Sequence, residues 1–482
     1  MDIKNSWANP LDWKKSALWL IFAVACFHAA YTSIHHPVAG CLIFGYAYGL
    51  IKLTNQPDVR HAFYYGLAAV FLCYAPQVIF FWYIFNSAAI VLWLVLAFWI
   101  ALFTAIICGS RRRWGHAKAA WLIPVVWTGL EYFRSELYYL KFSWLNIGYA
   151  LPAGSWLFGI YGCGFLVVAT VTGQIFFGRA AWNYFRKKMT LLEVVVVLAL
   201  VAIVLALLLP DLAETKSSYR PKRFCPVIVG VQMEGSPVDV IPQVLDRALA
   251  QNTNASIFVL SECTLEGSVP DSLKDWCRKR ARFLVVGGRD FVTNHVYYNT
   301  AFVVGTNGEI VFKQAKSVPV QFFDDGLRAT NQAVWDSPWG KIGFCICYDL
   351  SYTRVIDRLV ARGAQLLIVP TMDNEDWGWH EHELHSRVAP VRAAEYGLPV
   401  FRLASSGVSQ AVNDGGQVVA QTKISGYGDL LTAQLRMPPH GTIPRDRQFA
   451  PICSGLTGII TAVLLFLTWT DYRRSKKNPA AD

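Results

Sequence analysis

Long apolar segments are the feature that most limits what this chain can fold into. A run of about 20 apolar residues is long enough to cross a bilayer as a helix. Seven such segments precede residue 210 and an eighth lies near the carboxyl terminus, although the second and fifth are short or carry polar residues. We therefore predict about seven membrane helices over residues 1–210, a second domain over 211–453, and a last membrane helix with a basic tail over 454–482. The segments span roughly 16–34, 38–53, 62–83, 86–109, 119–135, 156–178, 189–209 and 454–471.

Composition supports a membrane protein that also carries a soluble domain. Of the 482 residues, 54% are hydrophobic and 18 are Trp, which is too apolar for a protein with an ordinary soluble surface. The formal net charge is +11, but the basic residues cluster at the ends of apolar segments, so we expect no nucleic-acid binding. The 11 cysteines form no paired framework, and we expect most of them to be reduced.

Charge asymmetry between successive loops predicts the orientation in the membrane. The short loops on one side carry only Arg134 and Lys141, whereas the other side collects the remaining clusters of Lys and Arg. Cytoplasmic loops hold such an excess, so we expect both chain ends in the cytoplasm and residues 211–453 outside it. The clustered residues are Lys4, Lys14, Lys15, Lys52, Arg60, Arg111, Arg112, Arg113, Lys118, Arg179, Arg186, Lys187, Lys188, Arg473, Arg474, Lys476 and Lys477.

From about residue 223 the pattern changes to short apolar runs that alternate with amphipathic stretches. This alternation predicts a layered α/β fold, in which reactive groups gather at the carboxyl ends of strands. The predicted strands are 226–233, 256–262, 283–288, 299–305, 341–349, 365–372 and 399–406. The predicted helices are 239–252, 270–282, 350–362 and 381–396.

Three chemically complementary residues end separate apolar runs of this domain. Glu262 closes "FVLSE", Lys316 follows "IVFKQAK", and Cys347 closes "IGFCIC". A carboxylate can take a thiol proton, the thiolate can attack a carbonyl, and an ammonium can lower the thiol pKa and stabilise an oxyanion. The combination points to acyl transfer through a thiol, although buried cysteines also serve as plain apolar filling.

The same residues resemble the nitrilase superfamily with its Glu–Lys–Cys triad. More narrowly, the chain resembles the apolipoprotein N-acyltransferases, the integral membrane branch of that superfamily. The membrane part carries the similar segments "WTGLEYFRS" (127–135) and "FSWLNIGYAL" (142–151), and the soluble part carries "KSVPVQFFD" (316–324) and "ICYD" (346–349). The resemblance implies a multi-pass α-helical membrane domain plus an α/β nitrilase-like domain, an α-β-β-α sandwich.

The resemblance also implies a role for individual residues. It selects Lys316 over Lys313 and Cys347 over Cys345 as members of the catalytic triad with Glu262. Further residues are expected to position the triad or the substrate, and two tryptophans are expected either to contact lipid or to pack within their loop. The positioning residues are Asp324, Tyr348, Asp349 and Asn299, and the tryptophans are Trp377 and Trp379.

Some segments depart from the family pattern. "LSE" stands where Trp-Pro-Glu is usual, Asp replaces Glu at 324 and 349, and "DNEDWGW" (373–379) replaces an Asn-Asp-x-Trp-Phe loop. These changes leave the triad in place, but they put its surroundings and the acyl-chain preference in doubt.

The function implied is lipoprotein maturation at a bacterial inner membrane, with the catalytic domain on the periplasmic side. A fatty acyl chain would pass from a phospholipid to Cys347 as a thioester, and then to the α-amino group of a diacylglyceryl-cysteine lipoprotein. No ATP, metal or coenzyme is required, because a thioester reacts downhill to an amide. Nothing in the sequence demands a partner subunit, so we expect a monomer.

Other functions fit the same residues. Water could accept the acyl group, which would make the chain a membrane-tethered amidohydrolase or carboxylesterase. The altered segments also allow a catalytically inactive lipid-binding scaffold. The cluster "HEHELH" (380–385) suggests a metal site, but it does not follow the H-E-x-x-H template, and the sequence offers no evident third ligand.

Overall fold

The computed structural model describes residues 10–32, 37–185, 225–424 and 427–477, and these residues fall into two compact units. The first unit comprises Met1–Gly154, Phe158–Ala213 and Arg445–Asp482. The second comprises Ser155–Leu157 and Glu214–Pro444. The two units divide the chain at places close to those where its composition changes.

Helices make up nearly all the regular structure of the described residues outside the second unit. Asp58 caps one of them by accepting a hydrogen bond from the His61 amide, and Gly115, with φ of 83°, ends another. The helices of the chain before residue 186 are α1 (Trp13–Thr32), α2 (Pro37–Gly40), α3 (Ile43–Leu53), α4 (Val59–Gln77), α5 (Phe80–Phe85), α6 (Ala88–Trp114), α7 (His116–Tyr132), α8 (Ser155–Phe158) and α9 (Ile160–Phe185).

The predicted apolar segments before residue 180 largely coincide with these helices, and the eighth coincides with a carboxyl-terminal helix, Asp446–Lys477. Within the described residues, two helical stretches are long and apolar enough to cross a membrane, Ala88–Trp114 and Asp446–Arg474. The segment 189–209 lies outside the described residues. The prediction of a multi-pass domain is therefore supported at two of its segments and stays a prediction at the others.

The second unit contains two six-stranded sheets. One has the order β12-β1-β2-β3-β4-β5 and the other β11-β10-β9-β8-β7-β6. The strands are β1 (Val227–Met233), β2 (Ile257–Val259), β3 (Phe283–Thr293), β4 (Val296–Val304), β5 (Ile310–Ala315), β6 (Val334–Ser337), β7 (Gly340–Phe344), β8 (Leu366–Pro370), β9 (Val400–Leu403), β10 (Gln410–Val412), β11 (Val418–Gln421) and β12 (Tyr427–Gln434). The remaining helices are α10 (Ile241–Gln251), α11 (Asp271–Arg280), α12 (Thr353–Ala361), α13 (Trp379–Ser386), α14 (Val388–Tyr396) and α15 (Asp446–Lys477).

The two sheets pack face to face, with helices on their outer sides. The rings of Phe312 on β5 and Phe344 on β7 stack at 5.5 Å between the sheets. Trp276 of α11 packs edge-on against Phe258 of β2 on the outer side of the first sheet. Leu359 of α12 lies against Gly343 of β7 on the second sheet. The predicted α-β-β-α sandwich is thus confirmed.

Two strand predictions differ from the structure at the ends that matter for function. β2 stops at Val259 and β7 stops at Phe344, so Glu262 and Cys347 lie on segments that have left the sheets. Cys347 has φ of 50°, a left-handed conformation that cannot continue a strand, and it opens a 3₁₀ turn, Cys347–Ser351. The apolar pattern continues past the last ladder residue, which is why it overestimates both strands.

The close packing of the two sheets at Gly230 can be tested by a substitution that adds a Cβ. A Cβ on this β1 residue would lie 2.5 Å from Leu403 Cδ1 and 3.1 Å from the Phe401 ring. We expect Gly230→Ala to destabilise the domain by about 1–3 kcal/mol through overpacking, measured by denaturant unfolding of the purified chain. Gly267→Ala is the control, because a Cβ there meets no described atom within 4 Å. Equal unfolding midpoints for the two variants would contradict the packing described.

Candidate active site

The predicted triad residues come together in the second unit. Glu262 lies just beyond the carboxyl end of β2, and Cys347 lies just beyond that of β7. Each of these strands pairs in parallel with a neighbour in its own sheet. Lys316 directly follows β5. The three residues are only 3%, 6% and 1% exposed, respectively. Neither Glu262 nor Lys316 is a solvated surface charge, because both are removed from water.

A buried ion-pair network surrounds the Lys316 ammonium. Its Nζ lies 2.7 Å from Glu262 Oε1 and 2.7 Å from Asp325 Oδ2. Asn299 on β4 joins the same two acids, since its Nδ2 donates to Glu262 Oε1 at 2.7 Å and to Asp325 Oδ1 at 2.6 Å. Burial lowers the pKa of Lys316, but the two carboxylates outweigh it, and the pKa ends well above its ordinary value. Lys316 is therefore held as a cation.

Backbone groups of Met372, just beyond β8, reach both the carboxylate and the thiol. The Met372 N–H donates to Glu262 Oε2 at 2.9 Å, so both oxygens of Glu262 accept hydrogen bonds. The Cys347 Sγ lies 3.7 Å from the Met372 carbonyl oxygen, to which it donates. One peptide segment thus contacts the candidate base and the candidate nucleophile.

The thiol is neutral in the resting site. Burial raises the pKa of Cys347 well above its ordinary value, and the neighbouring Glu262 raises it further. Lys316 lowers the thiol pKa, as the sequence analysis expected, but not enough to offset these effects. A thiol that keeps its proton beside a carboxylate is suited to base-assisted attack.

The second acid that contacts Lys316 is Asp325, one residue after the predicted Asp324. Asp324 is exposed, and its backbone carbonyl accepts from the Tyr297 hydroxyl. Asp325 instead contacts Lys316 and accepts from the Val320 N–H at 2.7 Å. Phe322, with φ of 71°, turns the chain between these residues, and spacing alone could not choose between two consecutive aspartates.

Asp349 links the lysine segment to the cysteine turn. Its carboxylate accepts hydrogen bonds from the amides of Ser317 at 3.0 Å, Val318 at 2.7 Å and Ile346 at 3.3 Å. Complete burial raises its pKa to about 6. Tyr348 packs edge-on against Tyr352, with ring centroids 5.0 Å apart. Asp349 therefore ties together the two segments that carry Lys316 and Cys347.

The predicted tryptophans lie beyond β8, with Trp377 in the loop and Trp379 at the start of α13. Trp377 ends a 3₁₀ turn, Glu375–Trp377, and its ring lies 6.1 Å from that of Phe323. Trp379 is 54% exposed and its ring lies 3.7 Å from the His380 ring. Phe322 is also largely exposed. Large apolar side chains thus remain open to contact on the loops that follow Lys316 and β8.

His385 of the histidine-rich segment contacts Asp373, an acid that was not among the predicted site residues. Asp373, Glu381 and His385 offer ligand atoms within 4.8 Å of one another, and all three are buried. However, Asp373 already contacts His385 Nδ1 at 2.7 Å and Arg402 Nη2 at 2.5 Å. A guanidinium so close to this carboxylate disfavours a metal cation at the same position. Asp373 could have been singled out in the sequence because it directly follows the apolar run 365–372. It is the neighbour of Met372, which contacts Glu262.

The alternative lysine, Lys313, lies outside the site. Its Nζ pairs with Asp290 Oδ2 at 2.5 Å, and the Lys313 side chain is 57% exposed. Cys345 is fully buried, like apolar filling, in the segment between β7 and the turn. The structure therefore brings together the lysine and the cysteine that the resemblance selected.

Comparisons with known proteins match both parts of the chain. Residues 16–173 match the apolipoprotein N-acyltransferase N-terminal domain, and residues 245–438 match the carbon-nitrogen hydrolase family. The apolipoprotein N-acyltransferase of Geobacter metallireducens is 21% identical over 435 residues, covering 78% of this chain and 81% of the relative. That of Neisseria meningitidis is 22% identical over 471 residues, covering 85% and 89%.

Other relatives match a shorter part of the chain. A deaminated glutathione amidase of Dictyostelium discoideum is 25% identical over 176 residues, which cover 32% of this chain and 60% of the amidase. The solved structure of Saccharomyces cerevisiae Nit3, from the nitrilase superfamily, superposes with a TM-score of 0.38 at 20% identity, covering 45% of this chain and 93% of Nit3.

The register of the second acid can be tested with a matched pair of variants. We expect Asp325→Asn to lower acyl-enzyme formation about 10- to 100-fold, because it removes a carboxylate that orients Lys316 and Asn299. Asp324→Asn carries the same chemical change on an exposed neighbour and is expected to leave the rate within about twofold. Single-turnover kinetics measure both rates. A larger loss in Asp324→Asn would contradict the geometry.

The protonation state of Cys347 predicts a pH dependence. Since its pKa is raised well above that of a free thiol, alkylation by iodoacetamide should be slow at pH 7 and should still be rising beyond pH about 9. Peptide mass spectrometry of the alkylated chain measures this rate at Cys347. A plateau reached below pH 8 would mean a resting thiolate and would refute the neutral-thiol site.

Proposed function

We propose that this chain, whose resemblance to the apolipoprotein N-acyltransferases is borne out by the matches to both of its parts, transfers a phospholipid acyl chain to the α-amino group of diacylglyceryl-cysteine lipoproteins. The observation that carries the chemistry is the buried ion pair between the Glu262 carboxylate and the Lys316 ammonium, with Met372 contacting both Glu262 and the Cys347 thiol through its backbone. These are the groups that an acyl-thioester mechanism requires.

The first half-reaction loads Cys347. Glu262 takes the thiol proton while Sγ attacks the carbonyl carbon of the sn-1 ester, and the ammonium of Lys316 stabilises the resulting oxyanion. The carbon–oxygen bond of the ester then breaks. The proton held by Glu262 passes to the departing oxygen, so that a lysophospholipid leaves and a thioester remains.

The second half-reaction unloads the enzyme. The α-amino group of the lipoprotein attacks the thioester carbonyl, and Glu262 accepts the proton that the amine loses. The carbon–sulfur bond breaks, the sulfur regains that proton, and an amide is formed. Both halves use one base, one cation and one nucleophile, as expected of a two-step exchange of substrates at a single site.

A neutral resting thiol suits a lipid donor. An ionised sulfur would be stabilised by water, whereas a protonated one is compatible with a buried site that receives acyl chains. Proton removal is then coupled to attack. The exposed aromatic side chains Trp379 and Phe322 support lipid contact beside the catalytic segments.

We place the protein in the bacterial inner membrane as a multi-pass enzyme. The helix Ala88–Trp114 and the apolar part of α15 are long enough to span, and the predicted spans at the other segments together with the charge asymmetry put residues 211–453 on the periplasmic side. The partners are then a membrane phospholipid and a diacylglyceryl lipoprotein. A monomer can supply every residue of the site described above.

Hydrolysis is the competing function, since water can attack the same thioester. The amidase relative matches this chain only over about a third of its length, whereas the acyltransferase relatives extend through the helical part. A soluble amide substrate would not require membrane helices. These observations favour the transferase.

Trapping of the acyl-enzyme tests the proposal. The purified chain is incubated with phospholipid that is radiolabelled in its sn-1 chain, and label retained on the protein is measured after denaturation. We expect hydroxylamine-sensitive labelling in the wild-type chain and its loss in Cys347→Ala. Cys345→Ala is the matched control, because it removes a thiol two residues away, and labelling should persist.

A diacylated lipopeptide added to the labelled enzyme then distinguishes transfer from hydrolysis. N-acylated lipopeptide should appear as protein label disappears. Release of free fatty acid without N-acylation would establish the hydrolase instead. Retained label in Cys347→Ala would overturn the assignment of the nucleophile.

A further inference from the structure

The segment Met372–Asp373 connects a second buried cluster to the catalytic residues. Met372 contacts the site through its backbone, with its N–H on Glu262 and its carbonyl oxygen on the Cys347 thiol. Backbone contacts do not depend on the side chain at 372. The orientation of this peptide must therefore be set by the neighbouring residue and its partners.

Asp373 is fixed on all sides. Its carboxylate, which has no exposed surface, has one oxygen on His385 and the other on Arg402, at 2.7 Å and 2.5 Å. Its backbone is held as well, because its N–H donates to Ser405 Oγ at 3.1 Å and its carbonyl accepts from Ser405 Oγ at 2.8 Å and from the Ser406 N–H at 3.2 Å. Asp373 is thus restrained through both its backbone and its side chain.

The charges in this cluster compensate one another. Burial raises the pKa of Asp373, but Arg402 and His385 lower it below its ordinary value, so the carboxylate stays ionised. Burial lowers the pKa of His385, but Asp373 outweighs it and the pKa is raised. The chain also makes room for the acid, because a Cβ at Gly407 would overlap the Asp373 carboxylate.

We propose that Asp373, clamped by His385 and Arg402, is a positioning residue that fixes the Met372 peptide between Glu262 and Cys347. The clamp acts through Met372 and does not touch the reacting atoms. It determines how the carboxylate and the thiol face each other, on which proton transfer from sulfur depends. The inference rests on the proposed roles of Glu262 and Cys347. It gives a function to Asp373, the first residue of "DNEDWGW", the segment that differs from the family pattern.

The clamp also accounts for the histidine cluster without a metal. Asp373, Glu381 and His385 approach one another closely enough to suggest one. Yet both oxygens of Asp373 are occupied, one of them by a guanidinium, and the side chain of Glu381 lies 3.4 Å from His385 Nδ1. The cluster is therefore better described as an ion-pair network than as a set of open ligands.

Asp373→Asn tests the proposal, because it keeps the size of the side chain and removes its charge. We expect acyl-enzyme formation at saturating phospholipid to fall about 10- to 100-fold, with the lipid concentration for half-maximal rate changed by less than about threefold. His385→Asn should have a similar effect. The double variant should lose far less than the product of the two single losses, because both residues act through one contact network.

Asp246→Asn is the control for general destabilisation. Asp246 accepts hydrogen bonds from Trp276 and Arg280, which lie on α11 and not in the site. It should lower stability without slowing acylation. Thermal unfolding of each variant establishes that the folded fraction is comparable, and the rates are expressed per folded molecule.

Alkylation of Cys347 by iodoacetamide gives a readout that needs no phospholipid. The Asp373 charge itself raises the Cys347 pKa, so the informative variant is His385→Asn, which breaks the clamp and keeps the carboxylate. If the clamp positions the thiol, His385→Asn should shift the pH profile of Cys347 alkylation, whereas Asp246→Asn should not. If the wild-type chain formed no acyl-enzyme, the proposed function would fail while this shift could still be seen. An unshifted profile with unchanged acylation, additive losses in the double variant, or activity that is abolished by EDTA and restored by zinc would each overturn the clamp.

Discussion

The site depends on keeping one ammonium charged in the interior of the domain. Lys316 is 1% exposed, and an isolated cation so deeply buried would lose its proton. Two carboxylates prevent this, and Asn299 holds both of them in register. Removing the lysine would leave two buried carboxylates without their counter-charge, the costly case for buried ion pairs. The sheet that contains β2, β4 and β5 thus brings Glu262, Asn299 and Lys316 together.

The same low-polarity interior explains why the sulfur keeps its proton. Burial and the adjacent carboxylate act in the same direction on the thiol, and they outweigh the ammonium. A site of this kind does not hold a reactive thiolate at rest; in the proposed mechanism, Glu262 removes the proton as attack proceeds. The left-handed conformation at Cys347 places the sulfur beyond the end of β7, where the Met372 carbonyl can orient it.

Much of the site could be predicted from the sequence because each triad residue ends or follows an apolar run. Asp325 could not, since spacing does not distinguish it from Asp324 without knowledge of the turn at Phe322. Asp373 was missed for a different reason, because its partners His385 and Arg402 are distant in the chain. Pairing of β12 with β1 is also invisible to local pattern, since it joins residues about 200 positions apart. Apolar length predicted helices well, but it decides membrane crossing only for the longest of them.

The proposed N-acylation of lipoproteins by the buried Glu262, Lys316 and Cys347 can be measured in a living cell. The most direct measurement is rescue of a bacterial cell depleted of its own apolipoprotein N-acyltransferase, with mass spectrometry of a lipoprotein's amino-terminal peptide. The account predicts growth and a triacylated terminal cysteine when the wild-type chain is expressed, and neither when Lys316 is replaced by Met. A terminal cysteine that stays diacylated despite correct membrane insertion of the wild-type chain would contradict it.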